Sequence, residues 1–309
     1  MANNALLNLG YDPEPLIKRG EPSKELITEI RKWIEDQKDI PKNLTNAQLV
    51  LFISACEFNV EPTKKCLREY FNAKKHGPEL FDNREVTRAD IASQLKALEF
   101  AVLPVDTVDG YRIIVHRLKD TSPSSYTMDV AMKCLFMTID LAVYKGPPKG
   151  LIFLFDMRGV GLMHLTRTKL GAVRKFCNYL QEALPCRLHS IHILNVVSFF
   201  DKVLSILKPF LRAEILDMMQ LHPSSLDMEE FMEKHISKNC LPSDYGGDLD
   251  SIEVLHAKNC KELETIVPYF TAEQTQRHEA LSNKKNSSGT NGTTNGDSYE
   301  SSFTKLEID

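Results

Sequence analysis

Apolar residues in the first hundred positions recur at three and four, the helical period. Leu26, Ile30, Trp33 and Ile34 lie on one stripe of a helix starting at Pro22-Ser23. Thr45 with Gln48 three residues on forms a capping-box pattern before the apolar run Leu49 to Ile53. A third helix runs from Glu61-Pro62 to about Lys75, with Cys66, Leu67, Tyr70 and Phe71 inward and Lys64, Lys65, Arg68, Lys74 and Lys75 outward. Gly77-Pro78 ends it, and a further helical piece is expected over Ala89 to Glu99. The period then changes. Tyr111 to Arg117 alternates and is β-branched, entered from the turn Asp109-Gly110. Met128 to Tyr144 reads as a helix, Leu151 to Phe155 as a strand buried on both faces, and Leu165 to Leu184 as a helix. Ile191 to Leu194 reads as a second buried strand, and Ile252 to Ile266 as a helix before Pro268. Strand and helix alternate, so the pattern predicts an α/β domain with a largely parallel sheet, preceded by a small helical bundle.

One stretch departs from ordinary amphipathicity. After the strand Ile191 to Leu194 the chain turns at Asn195 and becomes helical to the Lys208-Pro209 step. Stepping about 100° per residue, Ser198, Asp201, Lys202, Ser205 and Lys208 fall in one arc of roughly 120°. Val196, Val197, Phe199, Phe200, Val203, Leu204, Ile206, Leu207 and Phe210 fill the rest. A surface helix needs an apolar stripe of only about 100°. The surplus has to be covered by a deep core, a bound lipid or a membrane.

The 309 residues carry a net charge of −4 and are 42% hydrophobic, enough for a sizeable core. The acidic balance argues against nucleic acid as a partner. No apolar run reaches the length of about 18 residues that a membrane span requires. The N-terminus lacks the basic and apolar regions of a signal peptide. The seven cysteines are scattered without a C-x-x-C pair, which fits reduced thiols in a cytoplasmic protein. The segment 281–309, rich in Ser, Gly and Asn, is expected to be disordered.

Catalytic and metal chemistry finds little support. Gly159-Val160-Gly161 follows a strand as a dinucleotide loop would, but His164 stands where the third glycine belongs. His189 and His192 point to opposite faces of one strand, against a metal pair. His116 and His222 have no nearby acid or nucleophile in the sequence, and Asp156 at a strand end is read as a turn cap before it is read as a catalytic acid. No enzyme, cofactor or metal is implied.

The run NVVSFFDKVLSILKPFL at Asn195 to Leu211, LPSDYGG at Leu241 to Gly247 and the strand GLIFLFDMRGVG at Gly150 to Gly161 together resemble the CRAL-TRIO family. The likeness covers roughly Leu26 to Gly247 and is nearest to the family's tocopherol- and retinaldehyde-carrying members. It implies a lipid cavity over a largely parallel sheet floor, closed by a helical gate and preceded by a helical lead-in. The expected organisation is an irregular arm at 1–21, a helical lead-in at 22–100, the lipid-binding domain at 101–270 and the tail at 281–309.

Strand alternation places Leu151, Phe153 and Phe155 on one side, and Ile191 and Ile193 likewise, as candidates for the cavity. The resemblance adds Val130, Met137, Tyr179 and Leu180, and assigns the gate to Phe199, Phe200, Val203 and Leu207. Where tocopherol carriers present two ligand-facing hydroxyls this chain has Lys133 and Met137, which argues against tocopherol itself. The family's phosphoinositide groove is also reduced. Its basic positions fall on Leu51, Ser54, Glu214 and Met218, leaving Arg187, with Lys208 and Arg212 as partial replacements.

The reading from sequence is a monomeric cytoplasmic carrier that holds one hydrophobic lipid (retinoid, tocopherol-like or phospholipid). It visits membranes transiently and releases its cargo there, with phosphoinositides as a further ligand. The rival reading is a signalling or scaffold module of the same fold that binds a protein partner.

Overall fold

The computed structural model describes residues 7–287. Residues 288–309, most of the expected disordered tail, and the first six residues of the arm lie outside the described residues.

The arm is anchored. Leu7, Leu9 and Ile17 are buried, the Gly10 N–H donates to Tyr144 O at 3.0 Å, and the Tyr11 hydroxyl donates to Ala47 O at 2.6 Å. A short helix α1 (Glu14–Lys18) interrupts it. The lead-in follows as α2 (Lys24–Glu35), capped by Ser23, and α3 (Asn46–Ala55), whose capping box joins Thr45 and Gln48. Next come α4 (Val60–His76) and α5 (Pro78–Phe81). Lys74 of α4 is the exception to the expected pattern: it points inward and is fully buried. Helix α6 (Ala89–Ala97) stops short of Glu99 because the chain turns into strand β1 (Leu98–Val102).

The sheet-bearing part continues with β2 (Tyr111–Leu118), α7 (Met128–Tyr144) and β3 (Gly150–Asp156). The single helix expected over Leu165 to Leu184 is broken into α8 (Leu162–Leu165), α9 (Leu170–Asn178) and a π turn at Tyr179–Ala183. The first break falls at Thr166, whose hydroxyl bonds back to Met163 O at 2.8 Å. Strand β4 (Leu188–Leu194) leads to α10 (Phe200–Leu207), then α11 (Ala213–Asp217) and the three-residue strand β5 (Met219–Leu221). The chain closes through α12 (Met228–Lys234), α13 (Ile252–Thr265) and α14 (Val267–Ser287), the last running past the expected tail boundary.

The five strands lie in sequence order. β1 pairs antiparallel with β2, and every later pair is parallel. Because side chains alternate, one face carries Ile113, Val115, Ile152 and Leu154 into a core shared with Phe231, Leu241, Tyr245 and Ile252. The other face carries Ile114, Phe153, Ile191 and Ile193 toward the larger core. Among the described residues no helix is long and apolar enough to cross a membrane.

The LPSDYGG turn fixes the sheet's carboxyl edge. Asp156 Oδ1 accepts from Asn195 Nδ2 at 2.7 Å and from Arg158 N–H at 2.8 Å, while Oδ2 accepts from the Tyr245 hydroxyl at 3.0 Å. With its oxygens taken, Asp156 caps the turn. Gly247 is required by space: a Cβ there would sit 1.9 Å from Leu241 O.

Candidate functional site

A cavity of about 320 Å³ opens between the sheet and α10. Strand register builds its floor. Phe100, His116, Phe155 and Ile193 are partners across β1 to β4, and Phe153, Ile191 and Met219 form the adjacent row. Helix α7 supplies Met128, Ala131, Met132 and Leu135, and α9 supplies Val173, Phe176 and Cys177, with Leu180 from the π turn. Both sets follow the i, i+3, i+4, i+7 spacing of one helix face. The loop and short helix after β3 add Met157, Val160, His164, Leu165 and Thr168. The roof is α10, through Phe200, Val203, Ile206 and Leu207, continued by Leu211 and Ile215.

The roof helix resolves the surplus apolar surface noted in the sequence. Ser198, Asp201, Lys202, Ser205 and Lys208 are all exposed. Only Phe200 of α10 is buried; Val203, Leu204, Ile206 and Leu207 are half-buried. The helix is therefore no core helix, and its apolar side borders a hollow. It is also shorter than the Val196 to Phe210 span expected, because residues 196–199 form an irregular lead and 208–210 a 3₁₀ turn at Pro209.

Of the expected lining residues, Phe153, Phe155, Leu180, Ile191 and Ile193 border the cavity, as do the gate residues Phe200, Val203 and Leu207. The others lie elsewhere. Met137 is fully buried. It and Val130 sit about half a turn of α7 away from the lining face. Tyr179 packs against Phe81 and Phe136, with ring centroids 4.9 and 4.7 Å away. Leu151 is on the floor's face but toward the amino end of β3, beyond the hollow. Phe199 precedes the roof helix, and its side chain does not border the cavity. Lys133 is committed to Asp82 O at 2.8 Å.

Few polar groups border the cavity. His116 Nδ1 donates to Glu99 O at 3.1 Å, and the ring stacks on Phe100 at 4.3 Å. Burial pulls its imidazole down to about 4, so it is neutral at pH 7. Burial pushes the Cys177 thiol up to about 11, leaving it an apolar wall group. No cluster of three His, Cys, Asp or Glu is arranged for a metal among the described residues.

Of the three residues expected to grip a phosphorylated headgroup, Lys208 is exposed on the 3₁₀ turn and the two arginines are already engaged. Arg187 pairs with Glu57. Arg212 pairs with Glu182, which also holds Lys65 at 2.9 Å.

His164, Tyr126 and the α7 face were not anticipated as cavity residues. The α7 face was legible in principle, since Met128, Ala131, Met132 and Leu135 have helical spacing. For His164 the sequence offers only a lone histidine in a loop.

Comparison with known proteins agrees with this architecture. Residues 97–247 match the CRAL/TRIO domain, and residues 20–91 match the Pinta-like UBA domain. The chain is 25% identical over 213 residues to alpha-tocopherol transfer protein-like of Mus musculus, covering 68% of this chain and 61% of that one. The match to its Homo sapiens counterpart is 23% over 221 residues, 71% of this chain and 63% of that one. The chain thus spans about three fifths of the length of these relatives. Tyrosine-protein phosphatase non-receptor type 9 of Homo sapiens is 26% identical over 76% of this chain but only 38% of its own. The crystal structure of Sfh5 superposes with a TM-score of 0.51 at 11% identity, over 75% of this chain and 90% of that chain, a likeness of fold. Residues 97–247 of this chain thus form a CRAL/TRIO domain.

Proposed function

We propose that the chain carries one hydrophobic lipid in the cavity between the sheet and α10 and exchanges it at a membrane surface. The observation that carries this reading is the roof helix: its apolar side borders a hollow while its polar side faces water. Burying about 300 Å² of apolar ligand surface contributes roughly 7 kcal/mol at about 25 cal/mol/Å². Association costs at least about 4 kcal/mol of this. Release requires α10 to move, which exposes Phe200, Val203 and Leu207. That exposure is unfavourable in water and tolerated against a bilayer. Leu162, Met163 and Leu170, beside the cavity's loop wall, are already exposed and extend the same apolar surface.

The relatives named for tocopherol transfer support a lipid as cargo. Tocopherol itself is disfavoured because Lys133 is occupied and Met137 faces away from the cavity. A phosphoinositide headgroup would have to displace Glu57 and Glu182 from Arg187 and Arg212, so headgroup binding is a separable and weaker part of this reading.

The test is to purify the protein from eukaryotic cells without detergent and compare its native and denatured masses. A stoichiometric excess mass that extracts into organic solvent is expected. A ligand-free protein that also rejects retinoids, tocopherol and phospholipids would overturn the carrier reading in favour of a module that binds a protein partner.

A further inference from the structure

His164 presents an unsatisfied donor in the wall of the cavity. The residue is 7% exposed, and its Nε2 is one of only two buried side-chain polar atoms without a partner among the described residues. The other, Asn259 Nδ2, belongs to a side chain of α13 that borders neither cavity wall nor roof and holds Val102 N–H through its oxygen. Buried polar groups are nearly always paired, because an orphaned one forfeits its hydration.

The local bonding fixes which ring nitrogen is the donor. Gly161 N–H donates to His164 Nδ1 at 3.0 Å. Gly161 O lies 3.2 Å from the same ring nitrogen but already accepts from the His164 backbone N–H at 3.0 Å, whereas the Gly161 N–H has no other acceptor among the described residues. The arrangement that satisfies all three groups makes Nδ1 the acceptor and assigns the ring proton to Nε2. The nearest ring, Tyr126, meets His164 at 72° with centroids 5.9 Å apart. A ring face is a weak substitute for an oxygen acceptor. The imidazole also caps Gly161, but that role uses Nδ1 alone and leaves Nε2 unexplained.

We propose that His164 Nε2–H is the polar anchor for the cargo, and that the cargo is a neutral lipid ending in one hydroxyl or carbonyl oxygen. This rests on the carrier reading above and narrows it. The charge environment excludes an anionic head. No Lys or Arg borders the cavity, and the one charged group that does, Asp156, is a carboxylate. A hydrocarbon without oxygen leaves the donor unpaired, and the other lining donors, the Tyr126 and Thr168 hydroxyls, are neutral groups that do not balance a large zwitterionic head.

The experiment compares phytol with the C20 hydrocarbon lacking only its hydroxyl, each displacing a fluorescent apolar dye from the purified full chain. The wild type is expected to favour phytol by about tenfold, the usual size of one buried hydrogen bond. His164→Asn keeps an acceptor near Gly161 N–H and removes the Nε2 donor. It should lose the preference by weakening phytol while leaving the hydrocarbon unchanged. His164→Gln places an amide N–H near the Nε2 position and should retain most of the preference. Equal binding of both probes by the wild type, or an undiminished preference in His164→Asn, overturns the anchor while leaving the carrier reading in place. Failure of the wild type to bind either probe overturns the anchor, and together with a ligand-free native mass and rejection of the other lipids it overturns the carrier reading as well. If His164→Asn does not fold, the wild-type ratio and His164→Gln still decide.

Discussion

Replacing Glu273 by Gln should be among the most damaging isosteric changes in this protein. Glu273 lies on α14, 2% exposed, at the centre of a buried ionic cluster. Its carboxylate takes Arg84, Arg277 Nε at 2.7 Å and Lys74 Nζ at 3.3 Å. Asp140 shares Arg84 and Lys74, and Asp82 holds Arg277 at 2.8 Å. Three cations and three anions thus balance between the lead-in, α7 and the last helix. Removing one carboxylate charge leaves three buried cations facing two anions, a loss of about 3–5 kcal/mol. Burial alone would push the Glu273 carboxyl up, but Lys74, Arg277 and Arg84 together draw it down to about 2. From an ordinary 4.5 that is about 3 kcal/mol of stability.

Lys74 offsets part of this, because burial draws its ammonium below the usual range against the upward pull of Asp140 and Glu273. The two partners disagree in sign, so the Glu273 figure is the upper end for the cluster. The carboxyl's folded value is depressed. Its contribution is therefore complete above the unfolded value of 4.5 and is lost as pH falls toward about 2. Thermal melts followed by far-ultraviolet circular dichroism should place Glu273→Gln roughly 6–20 °C below wild type at pH 7. The difference should narrow as the pH falls from about 4.5 toward 2. A variant melting within about 2 °C of wild type at pH 7, or a gap that stays constant through acid, would refute the reasoning.

Three further outcomes are expected. The double change Phe200→Asp, Val203→Asp should slow vesicle-to-vesicle lipid transfer at least tenfold with the sheet intact by circular dichroism; transfer at the wild-type rate would remove α10 from the mechanism. His192 is drawn down to about 3 by burial and then by His235, His222 and His189, so its stabilising contribution is lost as pH falls from about 6.5 to 3. His192→Phe should flatten that part of the stability profile, and an unchanged slope would count against it. Glu182→Gln frees Arg212 and Lys65 from their shared carboxylate. It should raise binding to phosphoinositide vesicles several-fold at low salt, an increase that 0.5 M salt abolishes; no increase in a sedimentation assay would show that these cations do not meet headgroups.

The sequence was most legible where one physical rule acted alone. α7 shows the helical period and is observed at the expected bounds, and the α3 capping box is present as read. It was least legible where buried surfaces are polar. α14 buries Glu273, Gln276 and Arg277, so it shows no apolar stripe to find. Lys74 was placed outside for the same reason: a lysine is buried only when distant acids gather around it. β1 and β5 escaped because short edge strands carry too few residues to show a period.

By itself the sequence determined the alternation of strand and helix, the family motifs and the excess apolar surface of α10, since these depend on local periodicity and composition. Tertiary structure alone decided which residues enclose the hollow. Strand register aligned Phe100, His116, Phe155 and Ile193 into one row, and the rotation of α7 turned Met137 away while presenting Met132 and Leu135. It also left His164 Nε2 without a partner. A cavity is space that packing fails to fill, and that depends on how distant segments meet, which no local pattern records.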